Sequence, residues 1–195
     1  MNLNIDFFKI TNNKVAAKGL VLISEPFLND TYFKRSVVYL TEHNEKGSIG
    51  FVLNKSIELN VHDVIQDFPE IDAGVSIGGP VNTNTIHYIH TLGDKIPDSI
   101  KVKDNIYWGG DFESIKDLIY AGMVTKEQIR FFLGYSGWAE KQLDNELAQN
   151  AWLVAEINPE MVMKAEQSSF WNQLLEKMGS KYQVWANFPE NPGLN

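Results

Sequence analysis

The chain contains no cysteine among its 195 residues. Disulfides, thiolate metal sites, iron–sulfur clusters and cysteine nucleophiles are excluded together, and the composition suits a reducing compartment. Histidine is scarce, with four residues. Basic runs are missing too. Lys and Arg number 17 against 25 Asp and Glu, a formal charge of −8. An acidic surface repels phosphate backbones, which argues against sequence-independent nucleic-acid binding. No apolar run approaches the ~20 residues of a membrane helix. Met1 to Ile10 carries Asp6 and lacks the basic start and apolar core of a signal peptide. Repeats, low-complexity tracts and Pro/Ser/Gly linkers are also missing.

What remains is an ordinary globular composition, 44% hydrophobic and 22% charged. One domain is expected over residues 1–195: an N-terminal arm or short helix over 1–18, a core over 19–186 and a tail over 187–195. A chain of this length buries roughly 70% of its unfolded surface. It needs no metal to hold it together, and no cofactor is expected.

The hydrophobic period switches along the chain. Leu20 to Ile23 and Ser36 to Leu40 are short apolar runs that predict strands, and Gly47 before Ile49 to Leu53 predicts a hairpin. Val61, Val64, Ile65 and Phe68 predict one helical face, capped by Asn60 and stopped by Pro69. Strands are expected at Val75 to Ile77, Thr85 to Thr91, Ile106 to Trp108 and Trp152 to Val154. Helices are expected over Phe112 to Ile119, from about 138 to 149, and around Trp171 to Met178 with Ser168 or Ser169 as cap. Thr125 and Gln128 form a capping-box pattern. Early strands followed by alternating helices predict α+β or irregular α/β.

Each chemical motif meets a physical objection. Gly134-Tyr135-Ser136-Gly137-Trp138 resembles a nucleophile elbow, but that strained turn needs a small residue where Trp138 stands. The last histidine, His90, precedes Ser136, so no histidine lies downstream of it. The expected local structure is a strand-to-helix turn with Trp138 opening the helix. His87 and His90 are three apart, which puts them on opposite faces of a strand and not on one metal. Gly78-Gly79-Pro80 and Gly109-Gly110-Asp111 are glycine turns without a phosphate-loop pattern. The stretch Ile115 to Leu133 could pass for helix-turn-helix, but Phe131-Phe132-Leu133 demands burial. The most unusual polar grouping is Asp30, Arg35, Ser36, Glu42, His43 and Asn54. Those residue types build either an acid–base or ligand site or a structural network.

The same segments, in order, resemble the YqgE/AlgH family. They are Gly19-Leu-Val-Leu-Ile-Ser-Glu-Pro26, Phe33-Lys-Arg-Ser-Val-Val-Tyr-Leu-Thr-Glu-His43, Gly50-Phe-Val-Leu-Asn-Lys55, Gly78-Gly-Pro-Val81, Gly134-Tyr-Ser-Gly-Trp138 and Asn150-Ala-Trp-Leu-Val154, with Gln142, Leu143 and Glu146. Trp108-Gly-Gly-Asp111 has no match in that pattern. The resemblance implies a mixed, branched sheet of barrel-like character surrounded by helices, in a cytoplasmic bacterial protein. It supplies no catalytic residue. The family is sometimes labelled a transcriptional regulator.

The leading functional reading is a non-enzymatic regulatory or interaction protein that binds a protein partner or a small ligand, and oligomeric state is not legible. The expected binding residues are Asp30, Arg35, His43, Asn54, Gly78, Gly79 and Pro80. The alternatives are a hydrolase using Asp30, Arg35 and His43, and a DNA-binding regulator.

Overall fold

The structure, a computed structural model, describes residues 9–189. Among them lie ten strands and six helices. In chain order the strands are β1 (Val21–Ser24), β2 (Val37–Asn44), β3 (Gly47–Val52), β4 (Ser56–Asn60), β5 (Gly74–Ile77), β6 (Val81–His90), β7 (Ile100–Lys103), β8 (Ile106–Trp108), β9 (Ile129–Ala139) and β10 (Trp152–Ala155). The helices are α1 (Val61–Val64), α2 (Phe112–Tyr120), α3 (Gln142–Ala148), α4 (Pro159–Lys164), α5 (Phe170–Lys177) and α6 (Ser180–Ala186).

All ten strands join one mixed sheet in the order β10-β1-β2-β3-β9-β6-β8-β7. The pair β4–β5 branches from β9, where β5 runs parallel to it; the other pairs are antiparallel. The α+β class and the branched, mixed sheet are therefore present. The barrel-like character stops short of closure, because β10 and β7 end the path without meeting.

The long strand β9 explains the branching. Its first half pairs with β5 and β6, and its second half pairs with β3. Both faces of that first half are covered, so its sequence is a continuous apolar run and not an alternating one. Phe131 enters one core with Val75, Tyr88 and Ile115, and Phe132 enters another with Phe51, Trp171 and Trp185. A third core gathers Leu22, Trp138, Leu143 and Trp152 under α3. β1 divides in the same way: Val21 and Ile23 face the α4–α6 side, and Leu22 faces α3. Each such side chain, fully removed from water, contributes roughly 1.5–3 kcal/mol.

The predicted strands, the β2–β3 hairpin and α2 are present. The capping box at Thr125/Gln128 forms as expected, and Asn60 is the N-cap expected of α1, with its N–H donating to Asp63 Oδ2 at 2.9 Å. Other expectations are corrected. The predicted helix over Val61 to Phe68 ends at Val64, because Ile65 is already extended (φ −112°, ψ 118°) and Asp67 is left-handed (φ 56°). Gly134 to Trp138 is not a strand-to-helix turn. β9 continues through Ala139, with Trp138 opposite Ser48, and the helix starts only at Gln142. The second helix of the helix-turn-helix reading is a short 3-10 turn that runs into β9. Strands β4 and β7 and helices α4 and α6 were not anticipated.

The arm expected over 1–18 and the tail expected over 187–195 lie partly outside the described residues. Within them, Ile10 is buried in the main core. Asn12 clamps β10, donating to Trp152 O at 3.1 Å and accepting from Val154 N–H at 2.7 Å.

Candidate functional site

Asp30, Arg35 and Asn54 come together at one end of β2. Asp30 builds a turn: its Oδ1 accepts the N–H groups of Tyr32 (2.8 Å) and Phe33 (2.9 Å), and its carbonyl accepts Lys34 N–H at 2.8 Å. The turn ends at Arg35, whose φ of +50° is a conformation that costs a non-glycine residue roughly 1–2 kcal/mol. Asn54 holds it there. Its Nδ2 donates to Arg35 O at 2.9 Å, and its Oδ1 accepts Val37 N–H at 2.9 Å. The Arg35 guanidinium lies over the Trp171 ring at 5.1 Å and donates to Phe188 O. Trp171 is itself fixed by donating its indole N–H to Ser24 O at 2.9 Å.

These contacts leave a cavity of about 500 Å³ beside the turn. It is lined by Thr31, Lys34, Arg35, Asn54, Lys55, Ser168, Ser169 and Asn172. Three of the described lining side chains are cationic, in a chain of net charge −8. Lys55 Nζ is anchored on Thr31 O at 3.0 Å. Ser169 stands at the N-terminus of α5, so partial positive charge of that first turn adds to the lysines.

The remaining predicted residues lie elsewhere. His43 sits six residues along β2 from Val37, about 20 Å at strand rise. Its Nδ1 contacts Ser48 Oγ at 2.7 Å across the hairpin. Gly78 is stitched between strands: its N–H donates to Leu133 O (2.8 Å), and its carbonyl accepts Val52 N–H (2.9 Å) and Ser136 Oγ–H (2.9 Å). Ser136 is buried in that contact and has no exposed nucleophile geometry. Gly79 has φ +155°, and a Cβ there would lie 2.4 Å from the Tyr135 carbonyl. Pro80 follows in the same turn. None of the three glycine-turn residues lines the cavity.

His87 packs on the Phe51 and Tyr135 rings, whereas His90 contacts Gly109 O at 3.0 Å. Among the described residues no group of three His, Asp or Glu converges as a metal site. No helix among them is long and apolar enough to cross a membrane.

Residues not picked out beforehand complete the cavity: Thr31, Lys34, Lys55, Ser168, Ser169 and Asn172. Lys34 and Lys55 are each adjacent to a residue that was, Arg35 and Asn54. The serines were legible only as helix caps. Arg130, buried on β9, was also missed, since a single arginine before Phe131-Phe132 reads as the rim of an apolar run.

A mixed sheet branching at one long strand, an Arg–Asn turn packed on a tryptophan and the Gly-Tyr-Ser-Gly-Trp strand together define a class of sequence. A family profile described as AlgH-like matches residues 21–183. The chain belongs to this family, the YqgE/AlgH family. A UPF0301 protein of Bacteroides thetaiotaomicron is 45% identical over 197 residues, spanning 100% of both chains. One from Parabacteroides distasonis is 44% identical over 193 residues, spanning 97% of this chain and 98% of that one. Two solved structures share the fold. The crystal structure of a Corynebacterium diphtheriae protein aligns at a TM-score of 0.75 with 23% identity, covering 96% of this chain and 100% of that one. The solution structure of the AlgH protein from Pseudomonas aeruginosa aligns at 0.71 with 24% identity, covering 92% and 98%.

Proposed function

We propose that the protein acts by binding, as a non-enzymatic cytoplasmic regulatory or interaction protein, and that the cavity at Arg35 takes a small anionic ligand. The observation that carries this reading is the gathering of Lys34, Arg35 and Lys55 on one cavity, against the sign of the whole chain. Such a pocket focuses potential and raises the local concentration of anions. Asn54, Ser168, Ser169 and Asn172 add neutral hydrogen-bonding groups that orient a phosphate or carboxylate. None of the described lining side chains is suited to proton transfer near neutral pH, and His43 stands about 20 Å away along β2. The hydrolase reading therefore has no assembled acid–base pair among these residues to rest on, and the second helix of the helix-turn-helix reading is a 3-10 turn that runs into a strand.

Titration of the full chain with inorganic phosphate, pyrophosphate and citrate, followed by amide NMR, tests the proposal. Saturable shifts are expected at Arg35, Asn54, Lys55 and Ser169. Affinity falls with added salt, and falls about tenfold or more in Lys34→Ala/Lys55→Ala. Shifts that never saturate, or a double variant that binds as well as the wild type, would refute it.

A further inference from the structure

A second cavity, of about 550 Å³, opens where β8 ends, at the Trp108-Gly109-Gly110 segment that the family pattern left unexplained. Ile65, Ile86, Tyr88, Ile100, Trp108 and Phe112 supply its apolar walls, and among the described residues no charged side chain lines it. Its location is a notch in the sheet. β6 pairs with β8 only through Ile89 and His90, and one further bond, Gly109 N–H to Tyr88 O at 3.0 Å, ends the ladder.

Backbone groups along a strand alternate from edge to edge, so Ile86 presents its N–H and C=O on the same edge as Tyr88. The opposite neighbour agrees. Leu133, the partner of Ile86 on β9, turns its carbonyl away to Gly78 N–H. The Ile86 backbone edge therefore faces the notch.

The apolar walls stand on both faces of the sheet. On one face, His87 and Trp108 pack on Phe51, with centroids at 5.5 and 6.1 Å. On the other, Tyr88 packs on Phe112 at 5.9 Å and on Phe131 at 6.1 Å. Burial holds the His87 imidazole toward its neutral form, in keeping with an uncharged site. An extended chain sends successive side chains to opposite faces. A backbone edge flanked by apolar walls on both faces is the complement of such a chain.

We propose that this notch receives an extended, uncharged apolar segment of a partner polypeptide, which adds to the sheet beside Ile86 and seats consecutive side chains against Trp108 and Phe112. A compact ring ligand would need one wall and no strand edge, and a phosphorylated or acidic partner would find no counter-charge here. The mode is strand addition, in which main-chain bonds supply affinity and alternating pockets supply specificity.

The test uses the full chain and a set of blocked pentapeptides carrying every pair of Val, Ile, Leu, Phe, Tyr and Trp at two adjacent central positions, with indole as the ring-only probe. Amide NMR is expected to show saturable shifts at Ile86, Trp108, Gly109 and Gly110 with the best peptides. N-methylation of the central peptide amide weakens binding about tenfold, as loss of a backbone hydrogen bond requires. Ile100→Glu, which places a charge on the half-exposed wall without touching the core, weakens it by at least as much. Lys55→Glu, in the other cavity, leaves it unchanged. The proposal is overturned if no peptide saturates, if N-methylated and parent peptides bind alike, if indole reproduces the shifts that peptides do not, or if Ile100→Glu binds as the wild type does.

Discussion

Arg130→Met is expected to destabilise the protein by about 2–4 kcal/mol, although it removes a buried charge. Arg130 is 2% exposed on β9. Its Nη1 donates to Val162 O at 2.7 Å, and its Nη2 donates to Leu53 O at 2.7 Å and Ser76 Oγ at 3.4 Å. Its face lies on the Phe132 ring at 5.2 Å. Glu166 approaches Nε at 3.8 Å from a half-exposed position. Burial pulls the guanidinium down to about 10, with Glu166 acting the other way, so the group is charged at neutral pH. Two effects oppose each other. Methionine spares the cost of burying a cation, which in other cores makes apolar replacement neutral or stabilising. It also strands the carbonyls of Leu53 and Val162, which belong to the backbone and cannot be replaced, at roughly 1–3 kcal/mol each. The second effect is expected to win, because the fork satisfies two carbonyls from separate segments, the residue after β3 and α4, at once. Arg130→Lys keeps the charge but not the fork and falls in between. The assay is urea denaturation, with a thermal shift of about 5–15 °C for a chain of this size. A methionine variant as stable as the wild type would show that desolvation outweighs the hydrogen bonds, and the reasoning would fail.

Four further outcomes are expected. Glu146 Oε2 accepts both indole N–H groups, from Trp138 at 2.9 Å and Trp152 at 2.7 Å, while Oε1 accepts from Gln142 at 3.0 Å. Glu146→Ala should cost about 2–3 kcal/mol and Glu146→Gln about 1 kcal/mol in denaturant midpoints; equal costs would remove the indole bonds as the cause. Gly79→Ala should cost more than about 3 kcal/mol, because its Cβ meets the Tyr135 backbone at 2.4 Å. Gly122→Ala, at φ +67° in open space, should cost about 1 kcal/mol by the same measurement. His87 and His90 both have pKa values lowered from 6.5, chiefly by burial. The unfolded chain then binds protons that the folded chain refuses, so stability is full above about pH 6.5 and declines as pH falls through and below it. Urea midpoints between about pH 7.5 and 5 should show that slope, and His87→Asn/His90→Asn should flatten it.

The parts legible in advance were those governed by neighbours in the chain. Leu20 to Ile23 needed only its apolar run, α2 only its Phe112–Ile115–Ile119 spacing, and the box at Thr125 only a side chain three residues on. The errors fell where a distant partner decides. Trp138 looks like the start of a helix because Leu143 and Leu147 follow at helical spacing. It is a strand residue because β3 pairs there and Glu146 takes its indole N–H. The face Val61 to Phe68 looks helical, yet Phe68 reaches the second core through a turn after Ile65, in which Phe68 N–H donates to Ile65 O at 3.3 Å.

The candidate site divides in the same way. Arg35 and Asn54 stood out as polar residues among apolar strands, and they do share a cavity. Lys55 gained meaning only when its ammonium met the Asp30 turn, and Ser168, Ser169 and Asn172 only when Trp171 carried α5 onto Ser24. His43 left the group for a geometric reason: residues close in number are far apart along an extended strand. The sequence alone determined the family, the α+β class, the lack of thiol chemistry and the acidic balance, because these depend on composition and local pattern. Only the tertiary structure decided that three cations line one cavity and that the sheet carries a two-sided notch at Ile86. The cavity joins Arg35 to Trp171 and the notch joins β6 to β8 and Phe51 to Trp108, and local spacing does not encode such pairings.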